Sequence, residues 1–121
     1  LLRKYEFRKK LGGAYYENFK EISWYRCLTG EAQMVIIWLK LFNINNDVRF
    51  VNASSKLLDD LCKTQPLKNT LFLKSGGLKG SHPYYGRYIS YRQPNWATKF
   101  LIDAMLLEET AYKEIEEKLK L

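Results

Sequence analysis

The stretch EAQMVIIWLKLF, residues 31–42, constrains the fold more than any other part of this chain. Its apolar residues fall on nearly every side of a helix, with Lys40 as the late exception. The β-branched trio Val35, Ile36 and Ile37 would suit a strand, but the length of the run and the surrounding Ala, Gln, Met and Leu favour a helix. A helix that is apolar all round must be buried among other helices.

A second apolar segment begins after Pro94. Residues 95–107 predict another mostly buried helix, for which Asn95 is the expected N-cap. One face of this helix carries Trp96, Phe100, Ala104 and Leu107. Each buried helix is followed by an amphipathic one, over residues 47–63 and 108–121, that would lie on the outside. The sequence thus predicts an all-α domain of antiparallel helix hairpins.

A long connection, residues 66–93, separates the two predicted hairpins. Connections of this length without secondary structure are uncommon and are often functional. The segment GGLKGSHPYYGRYISYRQPNWATKF, residues 76–100, gathers the only histidine, four tyrosines and a tryptophan. Its glycines allow turn angles, while Tyr and Trp combine a flat apolar face with a polar tip. The segment is therefore either a ligand-binding loop or an aromatic brace that ties helices together.

Three segments resemble a known group of proteins: CLTGEAQMVIIWLKLF, GGLKGSHPYYGRY and PNWATKFLIDAMLLEE. They are similar to the C-terminal part of bacterial α/α-toroid proteins found with surface-polysaccharide genes. That architecture is shared with terpenoid cyclases, protein prenyltransferases and several carbohydrate-active enzymes. The resemblance covers residues 24–109 and implies a partial α/α toroid, with residues 1–121 as a single helical domain at the C-terminal end of a longer protein. It also implies an open apolar flank, so we expect self-association.

The resemblance implies a carbohydrate-associated domain in bacterial surface-polysaccharide biosynthesis or modification, with an acidic glycan or glycan precursor as partner. The expected ligand-binding residues are aromatic or polar side chains: Trp24, Tyr84, Tyr85, Arg87, Tyr88, Asn95 and Trp96. Sugars offer C–H faces that match aromatic rings, and the basic balance of the chain would suit an acidic or phosphorylated glycan. The simpler interpretation is that these aromatic residues only brace the loop.

Acid–base chemistry on a glycan needs a carboxylate pair, or a carboxylate with Tyr or His. The candidates here are Glu31, His82, Tyr88 and Asp103. We expect the helix dipole to favour ionised Glu31. We expect Asp103, if buried, to pair with Arg87 or Arg92. These roles could equally be structural, which leaves open whether the protein is an enzyme.

Two other functions remain possible at this point: a non-catalytic helical scaffold or interaction module, and an isoprenoid-handling enzyme. Toroid prenyltransferases bind zinc through an Asp, a Cys and a His. The residue two positions before Cys27 is Tyr25, which is not an aspartate. The residue two positions before Cys62 is Asp60, but this pair lies in the predicted outer helix. Because the expected Asp-x-Cys and His pattern is not met, we predict no metal site and no cofactor.

The chain carries a formal net charge of +7. Residues 1–11 predict a helix that Gly12 and Gly13 should end, and this helix carries the one dense cluster of basic residues. The other basic residues are spread out, so nucleic acid is not the expected partner.

The longest apolar run, Met34 to Leu39, is far shorter than the ~20 residues of a membrane span. Two cysteines indicate free buried thiols in a reducing cytoplasm.

Overall fold

The computed structural model describes residues 1–71 and 73–120. Over these ranges the elements are α1 (Leu2–Arg8), β1 (Arg26–Cys27), α2 (Leu28–Asn45), α3 (Val48–Lys63), β2 (Ser81–His82) and α4 (Asn95–Lys120). Helix α2 packs against both α3 and α4, and α1 contacts α3. The all-α prediction is therefore confirmed, and the two short strands are a local addition to it.

The core is centred on α2, as residues 31–42 predict. Val35, Trp38, Leu39 and Phe42 of this helix are at most 3% exposed. Burying each such side chain stabilises the fold by about 1.5–3 kcal/mol. The helix extends three residues beyond the prediction at each end, and the half-buried Cys27 caps its start by accepting a hydrogen bond from the Gly30 amide at 3.4 Å.

One side of α2 is not buried, which corrects the expectation of burial all round. Ile37, Leu41 and Ile44 are 48%, 37% and 80% exposed. They recur at the spacing that places residues on one helix face. Helices α3 and α4 therefore cover part of α2 and leave an apolar stripe in solvent.

Helix α3 is the predicted amphipathic outer helix. Asp47 caps it, because its carboxylate accepts a hydrogen bond from the Arg49 amide at 3.0 Å. Leu57, Leu58 and Leu61 point inward and are at most 3% exposed. Their spacing of three or four residues gives the helix one buried face.

The predicted division of residues 95–121 into two helices is wrong, because Asn95–Lys120 is one continuous helix. Nothing around Glu108 and Glu109 breaks a helix, since glutamate is a good helix former. The buried stripe Ala97, Leu101, Ala104 and Ala111 continues through this region. Asn95 lies inside α4 as its first residue and is not the expected N-cap.

The first half of α4 is also less buried than predicted. Trp96, Ile102, Met105 and Leu106 are between 40% and 59% exposed. Small alanines on the inner face let α4 lie close to α2 and take the place of larger apolar contacts there. The helix is therefore amphipathic along its length.

Helix α1 ends earlier than residues 1–11 suggest. Lys9 adopts a left-handed φ of 60°, and its amide donates to the Tyr5 carbonyl at 2.7 Å. The helix thus ends at Arg8, four residues before the expected stop at Gly12. Tyr5 docks α1 onto the core, with its ring 5.4 Å from that of Trp38.

Candidate functional site

The β1–β2 ladder brings two distant segments of the chain together. Arg26 pairs with His82, and Cys27 with Ser81, in antiparallel register. Because β1 runs directly into α2, this pairing fixes the long loop against the start of that helix. Residues 24–25 and 83–85 therefore leave the ladder at the same end.

Five aromatic residues meet at that end, and we call Trp24, Tyr25, Tyr84, Tyr85 and Tyr91 the aromatic cluster. Trp24 stacks on Tyr85, with ring centroids 5.8 Å apart and an interplanar angle of 30°. Edge-to-face contacts at 5.2 to 5.7 Å join the remaining members. Such pairs contribute about 0.5–1.5 kcal/mol each beyond area burial. Trp24 is nevertheless 61% exposed and Tyr85 51% exposed, so the stacked pair presents a wide apolar surface to solvent.

A cavity of about 250 Å³ adjoins this stacked pair. Its lining residues are Ala14, Ile22, Ser23, Trp24, Tyr25 and Arg87. Arg87 is exposed and lines the same cavity as Trp24, so the cavity has a cation with hydrogen-bonding capacity in its wall. The cavity thus combines an apolar aromatic wall with a positively charged group.

The loop that carries the cluster is held by its own hydrogen bonds. The Ser81 hydroxyl donates to the Tyr88 carbonyl at 2.6 Å and accepts from the Tyr88 amide at 3.1 Å. A Cβ at Gly86 would come within 2.7 Å of the Ser81 Cβ and 2.8 Å of the Tyr25 Cβ. Glycine is therefore required at this position to let the loop lie close to Ser81 of β2 and to Tyr25.

The predicted ligand-binding residues fall into two groups. Trp24, Tyr84 and Tyr85 belong to the aromatic cluster, and Arg87 lies beside it. Tyr88 and Trp96 form a separate pair, in which the Trp96 indole N–H donates to the Tyr88 hydroxyl at 3.1 Å. Asn95, which is exposed, precedes Trp96 at the start of α4.

Glu31 is a buried carboxylate with a single dedicated partner. It is 3% exposed, and Arg26 donates three hydrogen bonds to it at 3.0 to 3.1 Å. Burial raises the pKa of Glu31 to about 7, against the lowering effect of Arg26. We expected the helix dipole to favour the ionised form of Glu31. The carboxyl group instead holds its proton more tightly than usual, because desolvation has the larger effect.

His82 is paired with Lys79, whose ammonium lies 2.9 Å from the His82 Nδ1. An ammonium can only donate, so Nδ1 accepts and the neutral ring carries its proton on Nε2. Burial lowers the pKa of both groups, and the neighbouring positive charges add to this effect. Lys79 is 8% exposed, so its cation is largely withdrawn from solvent.

The four predicted acid–base residues do not converge on one point. Asp103 pairs with Lys99 one turn earlier on α4, which corrects the expected partners Arg87 and Arg92. Tyr88 contacts Trp96. Only Glu31 and His82 are linked, through Arg26, whose side chain binds Glu31 and whose main chain pairs with His82.

Sequence reasoning missed Arg26 and Lys79 as partners of these groups. Arg26 precedes Glu31 by five residues across a strand–helix junction, where helical spacing does not apply. Lys79 lies three residues before His82 in an irregular segment. No periodic signal could have found either contact.

Within residues 1–71 and 73–120, no group of three or more His, Cys, Asp or Glu side chains is placed to hold a metal ion. In the same ranges, no helix combines the length and the apolar character needed to cross a membrane. Comparison of the chain with protein-family models, with curated proteins and with solved structures finds no match.

Proposed function

We propose that the aromatic cluster binds carbohydrate, and that the protein is a carbohydrate-associated domain acting on bacterial surface polysaccharide or its precursors. The observation that carries the proposal is the stacked and exposed pair of Trp24 and Tyr85, with Arg87 in the cavity that Trp24 lines. Large aromatic side chains left in solvent are unfavourable unless a partner covers them. A pyranose ring offers an apolar C–H face of matching shape.

Arg87 supports an acidic sugar as the ligand. Its planar guanidinium suits the two oxygens of a carboxylate or phosphate group. The overall charge of +7 would further favour the approach of an anionic polymer. The proposal includes no catalytic step, because the candidate acid–base residues lie in separate contacts.

The test is a binding titration of the protein with uronate-containing and neutral oligosaccharides of equal length, followed by NMR shifts of the tryptophan indole N–H groups. We expect Trp24→Ala and Tyr85→Ala to weaken binding of both by about tenfold or more, which is about 1.4 kcal/mol. Arg87→Gln should weaken only the acidic ligand. Tyr16→Ala is the matched control, since Tyr16 is 59% exposed and lies outside the cluster.

Trp96→Ala distinguishes the two groups of predicted ligand residues. If binding depends on Trp96 and not on Trp24, the site lies at the Tyr88–Trp96 pair and the proposal fails. Circular dichroism of each variant checks that helicity is retained. Loss of folding in Trp24→Ala and Tyr85→Ala alike would instead favour the bracing role of these rings.

The partial α/α toroid is part of the same proposal. It is supported by the packing of α2 against α3 across a connection of two residues, Asn46 and Asp47. The exposed stripe on α2 favours a second function, that of a non-catalytic scaffold that packs against further helices. A cytoplasmic location stays a prediction from the free cysteines.

A further inference from the structure

His82, the only histidine of the chain, stands where the long loop is attached to the rest of the fold. It forms the end pair of the β1–β2 ladder, directly opposite Arg26. Residues 83–91, which follow it, are hydrogen-bonded among themselves, for example from the Tyr91 amide to the Tyr84 carbonyl at 2.7 Å. These residues therefore form one unit, and its position relative to β1 depends on the ladder.

The ladder is short, with only two residue pairs. An isolated pair of strands is marginally stable at best. We call the arrangement described above, in which residues 83–91 lie against β1, the closed state. A change at one of the two pairs is therefore enough to shift the equilibrium between the closed state and an open one.

The charged groups around His82 are positive. The Lys79 ammonium lies 2.9 Å from its Nδ1, and Arg26 is its cross-strand partner. The elements that pack against β2 are β1 and α2. The carboxylate at the start of α2, Glu31, is bound by the Arg26 side chain, and Cys27 has a thiol whose pKa is raised above 9.0 by burial. His82 forms no ion pair with a carboxylate within residues 1–71 and 73–120.

Protonation of His82 removes one contact and adds two repulsive ones. The pair of His82 and Lys79 holds one positive charge, and the ring nitrogen accepts the hydrogen bond. Once protonated, both groups can only donate, so this hydrogen bond is lost. Like charges directly opposite each other in a ladder are destabilising, which applies to protonated His82 and Arg26.

We propose that His82 is an acid-sensitive switch on the aromatic cluster. When its ring is protonated, the two-pair ladder opens, residues 83–91 move away from β1, and Tyr85 separates from Trp24. The Trp24–Tyr85 stack is thus present at neutral pH and is lost in acid.

The pH range follows from the difference between the two states. Burial lowers the pKa of His82 from its ordinary 6.5, and the charges of Lys79 and Arg26 lower it further. In the open state the ring is in solvent and regains the ordinary value. The open state therefore binds the proton more tightly, so the closed state is fully favoured above pH 6.5 and loses stability as the pH falls below it. At pH 5.5 the equilibrium shifts by at most about tenfold.

The experiment measures the ring pKa of His82 and the hydrogen exchange of the Leu28 amide by NMR between pH 5.5 and pH 7.5. The Leu28 amide donates to the Gly80 carbonyl at 3.1 Å, beside the ladder, so its protection reports the closed state. We expect a ring pKa below 6.5 and a fall in Leu28 protection by about three- to tenfold in acid, while the amide of Leu61 in α3 keeps its protection. A ring pKa of 6.5 or above, or a smaller fall at Leu28, would overturn the proposal. Equal loss of protection at Leu28 and Leu61 would mean general acid unfolding, which also overturns it.

Variants assign the response to His82. His82→Gln keeps an acceptor for Lys79 and cannot be protonated in this range, so Leu28 protection should no longer depend on pH. Lys79→Met removes the neighbouring cation and should move the ring pKa towards 6.5, whereas Lys74→Met, at an exposed position, should not. Glu31→Gln should retain the acid response. If His82→Gln responds to acid as the wild type does, or if Glu31→Gln abolishes the response, Glu31 is the titrating group and the switch is refuted.

The consequence for ligand binding rests on the carbohydrate function proposed above. Wild-type affinity for a neutral oligosaccharide, which does not itself titrate, should be about three- to tenfold lower at pH 5.5 than at pH 7.5. His82→Gln should bind equally at both. Binding that is the same at both pH values in the wild type would refute the switch and leave the carbohydrate site standing. Absence of binding at both would refute the carbohydrate function alone, because nuclear Overhauser contacts between Trp24 and Tyr85 test the switch without ligand.

Discussion

The burial of Glu31 predicts how the stability of the protein depends on pH. In the folded state the pKa of Glu31 rises from 4.5 to about 7 because burial disfavours its charged form. The folded state therefore binds this proton more tightly than the unfolded state does. The stability that Glu31 contributes is fully present below pH 4.5 and is lost as the pH rises through 7. At 1.36 kcal/mol per pKa unit, the loss is about 3 kcal/mol.

The assay is urea unfolding of the wild-type protein and of Glu31→Gln at intervals from pH 4 to pH 8. The difference between their free energies of unfolding should change by about 3 kcal/mol in this window, with the wild type losing stability relative to the variant as pH rises. Subtraction removes the other titrating groups, including His82, whose lowered pKa acts in the opposite direction. Glu109→Gln, on the exposed face of α4, is the matched control and should show no such change. A constant difference between wild type and Glu31→Gln across the range would refute the reasoning.

Four further predictions concern packing. Ser54→Ala should raise the free energy of unfolding by about 1 kcal/mol in urea titrations, because the Ser54 hydroxyl is buried and has no hydrogen-bond partner among residues 1–71 and 73–120. Ser55→Ala should lower it, because the Ser55 hydroxyl shares a 2.6 Å hydrogen bond with Tyr112 of α4. Leu61→Ala should lower it by about 2–5 kcal/mol, since Leu61 is 0% exposed; an effect below 1 kcal/mol, about that of a surface change, would contradict the assigned core. Gly86→Ala should lower the melting temperature in thermal scans through the clash with Ser81 and Tyr25, and an unchanged value would show that the loop adapts. Ile37→Glu should abolish self-association in sedimentation experiments if the exposed stripe of α2 mediates it, and a wild type that is monomeric at high concentration would exclude that role.

The fold could be predicted from the sequence where one segment determines its own environment. Residues 31–42 are apolar on almost every side and long enough for a helix, which predicts a central helix, although one side of α2 stays exposed at Ile37 and Leu41. Asp47 marks the start of α3 because capping is a local interaction. These features depend on neighbours in the chain, which is why α2 and α3 were found.

The error at residues 107–109 has an equally local origin. The sequence changes there from apolar to charged, and we interpreted that change in composition as the end of a helix. Burial and helix formation are separate properties, however, and glutamate favours the helix while it avoids the core. Helix α4 therefore continues to Lys120 with a narrower buried face.

The contacts of the aromatic cluster could not be predicted because they depend on a very short ladder. The strands β1 and β2 have two residues each, too few for an alternating pattern to be visible. Yet this ladder determines that Trp24 stacks on Tyr85, a residue 61 positions away (85 − 24). Candidate residue types could be named in advance, but their grouping could not.

Arg26 links the β1–β2 ladder to the buried carboxylate Glu31 through different parts of one residue. Its main chain pairs with His82 and holds the end of the ladder from which the aromatic cluster extends. Its side chain forms an ion pair with Glu31 at 3.0 Å. Protonation of Glu31 near pH 7 removes the charge that holds the guanidinium, while the ladder keeps the main chain in place. A change of pH through 7 therefore acts first on the Arg26–Glu31 ion pair, and it affects the aromatic cluster only to the extent that β1 moves with the Arg26 side chain.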